Sequence, residues 1–104
     1  MNIVVLITAR DTTQAKRIAQ ALIREKHVAC VNIMAGARSL FWWDGKVDAA
    51  KETLLIVKSR KQCFPAIVRT VKKWHSYEVP EIIALPIVAG EKKYLTWLAD
   101  SCKA

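Results

Sequence analysis

Two long apolar stretches meet at Asp44-Gly45, and they limit the possible folds more than any other feature of the chain. An Asp-Gly pair between extended runs favours a type I′ hairpin, because both central positions need positive φ. Ahead of it, residues 28–34 are almost continuously apolar, the pattern of a strand covered on both faces or lying centrally in a sheet. Ala35-Gly36-Ala37 then invites a bend or bulge, and Leu40, Phe41, Trp42 and Trp43 lead into the turn. A return strand runs from Lys46 to about Lys58. Each arm is on the order of 13 residues, or roughly 40 Å, against a usual strand of about 5 to 6 residues. A domain of this size has a radius of gyration near ~13 Å, so the distal ribbon projects beyond its own core. Exposed rings and an unpaired ribbon edge are hazards for a monomer, which predicts a homo-oligomer with Phe41, Trp42 and Trp43 at its interface. The alternative is that Trp42 and Trp43 fold back on the open face of the sheet.

The other elements follow from shorter signals. Residues 3–7 form an apolar run that Arg10 and Asp11 stop too soon for a signal peptide or membrane span, so it reads as a buried first strand. Asp11 can cap a helix, with Gln14 close to completing a capping box. Ala15, Ile18, Ala19 and Leu22 recur at helical spacing and carry this helix to about Lys26. Residues 59–62 make a polar connection. Pro65 then suits the first turn of a second helix whose Phe64, Ile67, Val68, Val71 and Trp74 share a face. Pro80 ends what precedes it, residues 81–87 form the last strand, and Tyr94, Leu95 and Leu98 suggest a short helix to about Ser101. The order is β-α-β-β-α-β plus a C-terminal helix. That is an α+β, ferredoxin-like arrangement with a long central hairpin, expected as a single domain over residues 1–104.

Composition narrows the function classes. The chain has 104 residues, 53% hydrophobic and 25% charged with three glycines, which excludes disorder and lets a core form without disulfides or a structural metal. Seventeen Lys and Arg against nine Asp and Glu give +8, a bias toward anionic partners that names none of them. Cys30, Cys63 and Cys102 are odd in number and widely spaced, with no secretory leader ahead of them, so we expect reduced thiols in a cytoplasmic protein. The basic run of Lys58, Arg60, Lys61, Arg69, Lys72 and Lys73 reads as a solvated face, and the strands carry no aromatic RNA-binding signature, so no nucleic-acid partner is expected. G-x-S-x-G, H-E-x-x-H and P-loop motifs are all missing, and we expect a non-enzyme.

Ala29-Cys30-Val31-Asn32-Ile33, then Trp43-Asp44-Gly45-Lys46, then Glu52 ahead of Leu54-Leu55-Ile56-Val57-Lys58, resemble the CutA family of divalent-cation tolerance proteins. The stretch from His75-Ser76-Tyr77-Glu78-Val79-Pro80 through Glu81-Ile82-Ile83, with Tyr94-Leu95 and Trp97-Leu98, is similar to that family's C-terminal signature, so the likeness covers nearly the whole chain. The resemblance implies a ferredoxin-like subunit assembled into a trimer through its long strands, with copper or another divalent cation as ligand. Two positions depart from it. Trp74 stands where some members carry a second histidine before the tyrosine, which removes one potential ligand, and Ser76 stands where many have proline.

A copper or zinc site needs thiolate, imidazole or carboxylate donors converging within bonding distance. No short segment supplies one, so a site has to be assembled across strands or subunits. The grouping the resemblance favours is Cys30 with His75, with Glu52 or Glu78 nearby. Each has an ordinary alternative. A cysteine in residues 28–34 is most often a small core hydrophobe, and a histidine at a helix end is often a capping cation. Glu52 invites a structural partner such as Arg38 across the hairpin or a lysine of another chain, and His27 reads as solvated surface. A second functional reading is a trimeric signalling or scaffold protein that holds a small anionic ligand between subunits, using Asn32, Lys58 and Lys72.

Overall fold

In the computed structural model, which describes residues 1–103, the chain runs β1 (Asn2–Ala9), α1 (Thr12–Arg24), β2 (Cys30–Trp43), β3 (Lys46–Arg60), a 3-10 turn (Lys61–Cys63), α2 (Phe64–Trp74), β4 (Ile82–Pro86) and α3 (Lys92–Ser101). The strands form one antiparallel sheet in the order β2-β3-β1-β4, the ferredoxin-like order expected from the succession of elements.

Alternation along β1 sets which face is packed. Ile3, Val5, Ile7 and Ala9 are buried, and opposite them on β3 so are Leu55 and Val57. Ile18 and Leu22 of α1, Ile67 and Val71 of α2 and Leu98 of α3 close over them. The other face is less covered. Val4, Leu6, Leu54 and Ile56 are half-buried there, and Met34, Ile83 and Leu85 lie about half exposed, at 54%, 50% and 48%.

Local chemistry accounts for the element ends. Asp11 accepts the Gln14 N–H at 2.8 Å, as expected of a cap, while Gln14 Oε1 reaches back to the N–H of Arg10 at 3.1 Å rather than to that of Asp11. Helix α1 stops at Arg24, short of the expected Lys26, because Lys26 turns left-handed at φ 61°. The N–H of Lys26 then bonds the carbonyl of Ile23, and that of His27 the carbonyl of Leu22, which satisfies two helix-end acceptors. Residues 59–62 are not a plain connection: Ser59 and Arg60 still pair with Ile3 and Asn2, and only then does the 3-10 turn begin. The last strand is one residue shorter at each end than residues 81–87.

The hairpin has the turn its sequence asks for, with Asp44 at φ 50° and Gly45 at φ 74°. Gly36, at φ 83°, sits in the register shift between Met34 and Ala37 and forms the expected bulge. Pairing of β1 with β3 ends at Ala9↔Thr53, so residues 37–43 and 46–52 have only each other in the sheet. That overhang gives the molecule a long axis of 44 Å against 26 and 22 Å, and a radius of gyration of 14.1 Å. Trp42 and Trp43 do not fold back on the open face: they stay 76% and 65% exposed.

Candidate functional site

The residues singled out from sequence fall into two groups at opposite ends of the sheet. Cys30, Asn32 and Lys58 share the open face where β2 begins, since Cys30 pairs with Lys58 and Lys58 with Val4. The Lys58 ammonium donates to Asn32 Oδ1, and the Cys30 thiol lies 3.9 Å from the same oxygen. Cys30 is therefore half-buried on the open face and not the core hydrophobe its apolar neighbours suggested; the cysteines inside the core are Cys63 and Cys102. Lys72 lies on the exposed side of α2, in the helix layer across the sheet, so it does not join Asn32 and Lys58 in one cleft of the subunit.

His75 sits at the other end. One ring nitrogen, Nε2, is 2.7 Å from the carbonyl of Thr8, and the other, Nδ1, accepts the backbone N–H of Tyr77 at 3.0 Å. A carbonyl only accepts and an amide N–H only donates, so this pairing fixes the neutral tautomer with its proton on Nε2. Both nitrogens are thus committed to main chain. The backbone N–H of His75 bonds the Val71 carbonyl of its own helix, but its imidazole does not cap that helix; it ties the segment after α2 to the end of β1. Thr8 pairs with Leu54, four residues along β3 from the Lys58 beside Cys30, a separation of about 13 Å. Cys30 and His75 therefore do not meet within one subunit, and among the described residues no three His, Cys, Asp or Glu side chains are placed to hold a metal ion. Among the described residues, the donors of one chain therefore do not assemble a mononuclear metal centre.

The tie at His75 positions Tyr77, whose ring lies 4.7 Å from the imidazole and whose hydroxyl donates to Glu52 Oε2 at 2.9 Å. Burial, and secondarily the hydrogen bond to the Glu52 carboxylate, push the Tyr77 phenol above its ordinary pKa. Glu52 lies one residue beyond the last β1–β3 pair and is 8% exposed. Arg38 is not its partner. Glu52 stands opposite Ala37, whereas Arg38 pairs with Lys51, whose side chain points to the opposite face of the ribbon. His27 is also less free than expected: Nε2 is 3.2 Å from Glu25 Oε2, and Nδ1 3.3 Å from the carbonyl of Lys103.

Between the ribbon and residues 77–81 lies a groove of about 800 Å³, walled by Phe41, Trp43 and Val79 and reaching Thr8. Asp48, Glu52, Glu78 and Glu81 line it, four of the nine acidic residues of the chain, and no lysine or arginine does. Strand register explains the ribbon side: Ser39, Phe41 and Trp43 of β2 and Asp48 and Glu52 of β3 occupy one face by period-two alternation. Glu52 and Glu78 were legible candidates from sequence. Asp48 could have been added from its even spacing to Glu52, but Tyr77 and Glu81 reach the groove only through the tie at His75, and no local signal marks them.

A four-stranded antiparallel sheet with a hairpin that overruns its helices defines the class first: a ferredoxin-like α+β subunit with a projecting ribbon. The particular family follows from comparison. The pattern of the CutA1 divalent ion tolerance protein family matches residues 3–101, and the chain belongs to this family. It is 46% identical over 101 residues to the divalent-cation tolerance protein CutA of Thermus thermophilus, covering 97% of this chain and 98% of that one. A solved structure of the Thermus thermophilus protein superposes with a TM-score of 0.97 over 99% of this chain and 100% of that one, at 45% identity. The chloroplastic CutA 1 of rice (Oryza sativa) is 47% identical over 102 residues, and this chain spans 98% of itself but 58% of that longer protein. The rice crystal structure gives a TM-score of 0.95 at 47% identity over 98% of this chain and 94% of the solved one. A structure from Archaeoglobus fulgidus described as a periplasmic divalent cation tolerance protein matches with a TM-score of 0.93 and 42% identity over 97% and 98%.

Proposed function

We propose that the protein is a homotrimer acting in divalent-cation tolerance in the cytoplasm, that it is not an enzyme, and that it takes copper or another divalent ion at the junctions between copies. The observation that carries this reading is the overhang. Residues 37–43 and 46–52 pair with nothing but each other, and their aromatic end is exposed, as is the open face at Met34, Ile83 and Leu85. Sharing these surfaces among copies buries apolar area worth roughly 25 cal/mol per Å² and satisfies the ribbon's edge hydrogen bonds. The names of the Thermus and Archaeoglobus relatives, both divalent-cation tolerance proteins, support the tolerance role. The half-buried thiol of Cys30 is the soft donor such a junction offers copper, while His75 is engaged elsewhere.

Sedimentation equilibrium should give about three times the 11.7 kDa of the chain at micromolar concentration. Dialysis against copper followed by metal analysis should find bound copper that falls by more than half in Cys30→Ser and persists in His75→Ala. A stable folded single subunit would remove the trimer, and copper unaffected by Cys30→Ser would remove the metal assignment.

A further inference from the structure

We propose that His27 is a pH-sensitive latch: doubly protonated, it fastens the segment after α3 to the corner between α1 and β2, and on losing a proton it loosens that segment. The observation is the pair of partners on its ring. Nε2 lies 3.2 Å from Glu25 Oε2, and Nδ1 lies 3.3 Å from the carbonyl oxygen of Lys103, 76 residues away in sequence. A carboxylate and a carbonyl both only accept, and a neutral imidazole has one N–H to give. Both contacts are hydrogen bonds together only when each nitrogen carries a proton. His75 is the contrast within the same chain, since its nitrogens face one acceptor and one donor and its neutral form satisfies both.

The surroundings fix which bond is lost. Glu25 Oε2 also accepts the Thr70 hydroxyl of α2 at 2.7 Å, which holds the carboxylate at the ring. Hydrogen bonds to a charged acceptor are stronger than those to a neutral one, so the single proton of neutral His27 stays on Nε2 and the Lys103 carbonyl is left facing a lone pair. The other charged side chains of the segments that meet here are Arg24, Lys26 and Lys103, Arg60 beside Ser59 on β3, Lys73 one turn beyond Thr70 on α2, and Asp100 on α3. Most are basic, so Glu25 supplies the negative charge that an imidazolium at this corner needs. The Cys102 thiol, the remaining titratable group, is buried behind the latch and lies 3.8 Å from Ser59 Oγ. The Ser59 hydroxyl donates to the His27 carbonyl from the packed side of the sheet, apart from the ribbon and the open face that copies share. The Lys103 N–H bonds the Lys26 carbonyl at 2.7 Å, so the segment has two ties to the corner and His27 governs one of them. Because the fastened form holds the extra proton, fastening is complete at low pH and is lost as pH rises through the titration of the ring.

Solvent exchange of the Lys103 amide in the full chain, measured by NMR and expressed as protection relative to an unstructured peptide, tests this. Between about pH 5 and 8, where histidine side chains change charge, that protection should fall roughly two- to tenfold, the range one hydrogen bond supplies, with the same midpoint as the His27 ring resonances. The amide of Val57, in the core, should show no step. Glu25→Gln still accepts the Thr70 hydroxyl, and its amide can donate to Nε2, which leaves the proton of the neutral ring on Nδ1 for Lys103. That variant should keep Lys103 protected across the whole range, an outcome that a merely structural contact does not predict. His27→Gln should abolish the step while the Val57 amide stays protected. The measurement on the parent needs no variant to fold: protection that is flat with pH, or a step whose midpoint differs from that of the ring, would overturn the proposal. A step that survives in either folded variant would overturn it as well.

Discussion

Single residues decide where the elements end and what the groove carries. Asp11 is held below the ordinary carboxylate pKa of 3.8 chiefly by the Gln14 N–H it accepts. A lowered folded-state pKa contributes stability that is present above the unfolded value and lost as pH falls through the folded one. Asp11→Ala should therefore unfold at a lower temperature than the parent at pH 7, and the difference should shrink as pH drops below about 4, read from thermal melts across pH. Lys26 occupies a left-handed helix-end position that favours glycine. Lys26→Gly keeps both backbone bonds there and should raise the unfolding free energy by about 0.5 to 1 kcal/mol in urea titration. Cys30 shows the limit of reading residues singly. An apolar neighbourhood suggested core, but strand alternation put its side chain on the less covered face, which depends on where the helices pack and not on its neighbours.

At the scale of elements, the hairpin was the most legible part of the chain, because its determinants are local. Asp44-Gly45 supplies two positive φ angles, and Gly36 supplies the bulge that re-registers β2 against β3. Gly45 faces open space, so a methyl group there meets no neighbour and acts only through backbone strain. Gly45→Ala should cost about 1 kcal/mol in denaturant unfolding without changing the far-ultraviolet spectrum. The segment after α2 was the least legible. Pro80 predicted that the helix stops, which it does, but the tie from His75 to Thr8 joins positions 67 residues apart in sequence. The same tie places the Tyr77 hydroxyl on Glu52, and Glu81, which no local signal marks, lines the groove beside Glu78.

For the whole molecule, the ribbon and the uncovered sheet face are the features a single chain leaves unfinished. Leu40, Trp42 and Val47 lie 77%, 76% and 61% exposed on the projecting hairpin, away from any helix that could cover them. A Leu40→Ser, Trp42→Ser double variant should shift sedimentation toward the single subunit at concentrations where the parent remains associated, while circular dichroism shows the same helix and sheet content. Burial of such rings on association is the main favourable term those residues can supply.

The sequence by itself determined the succession of elements, the turn and bulge of the hairpin, the overhang and the family, because each rests on periodicity, on backbone conformations only certain residues adopt, or on motifs contiguous in the chain. Only the tertiary structure decided that Cys30 and His75 lie apart, that both His75 nitrogens are committed to main chain, and that a largely buried Glu52 accepts a hydrogen bond from Tyr77, 25 residues away. Those outcomes depend on which strand face the helices cover and on how far each residue lies along a shared register. Both are set when distant segments pack together, and neither leaves a trace in local sequence.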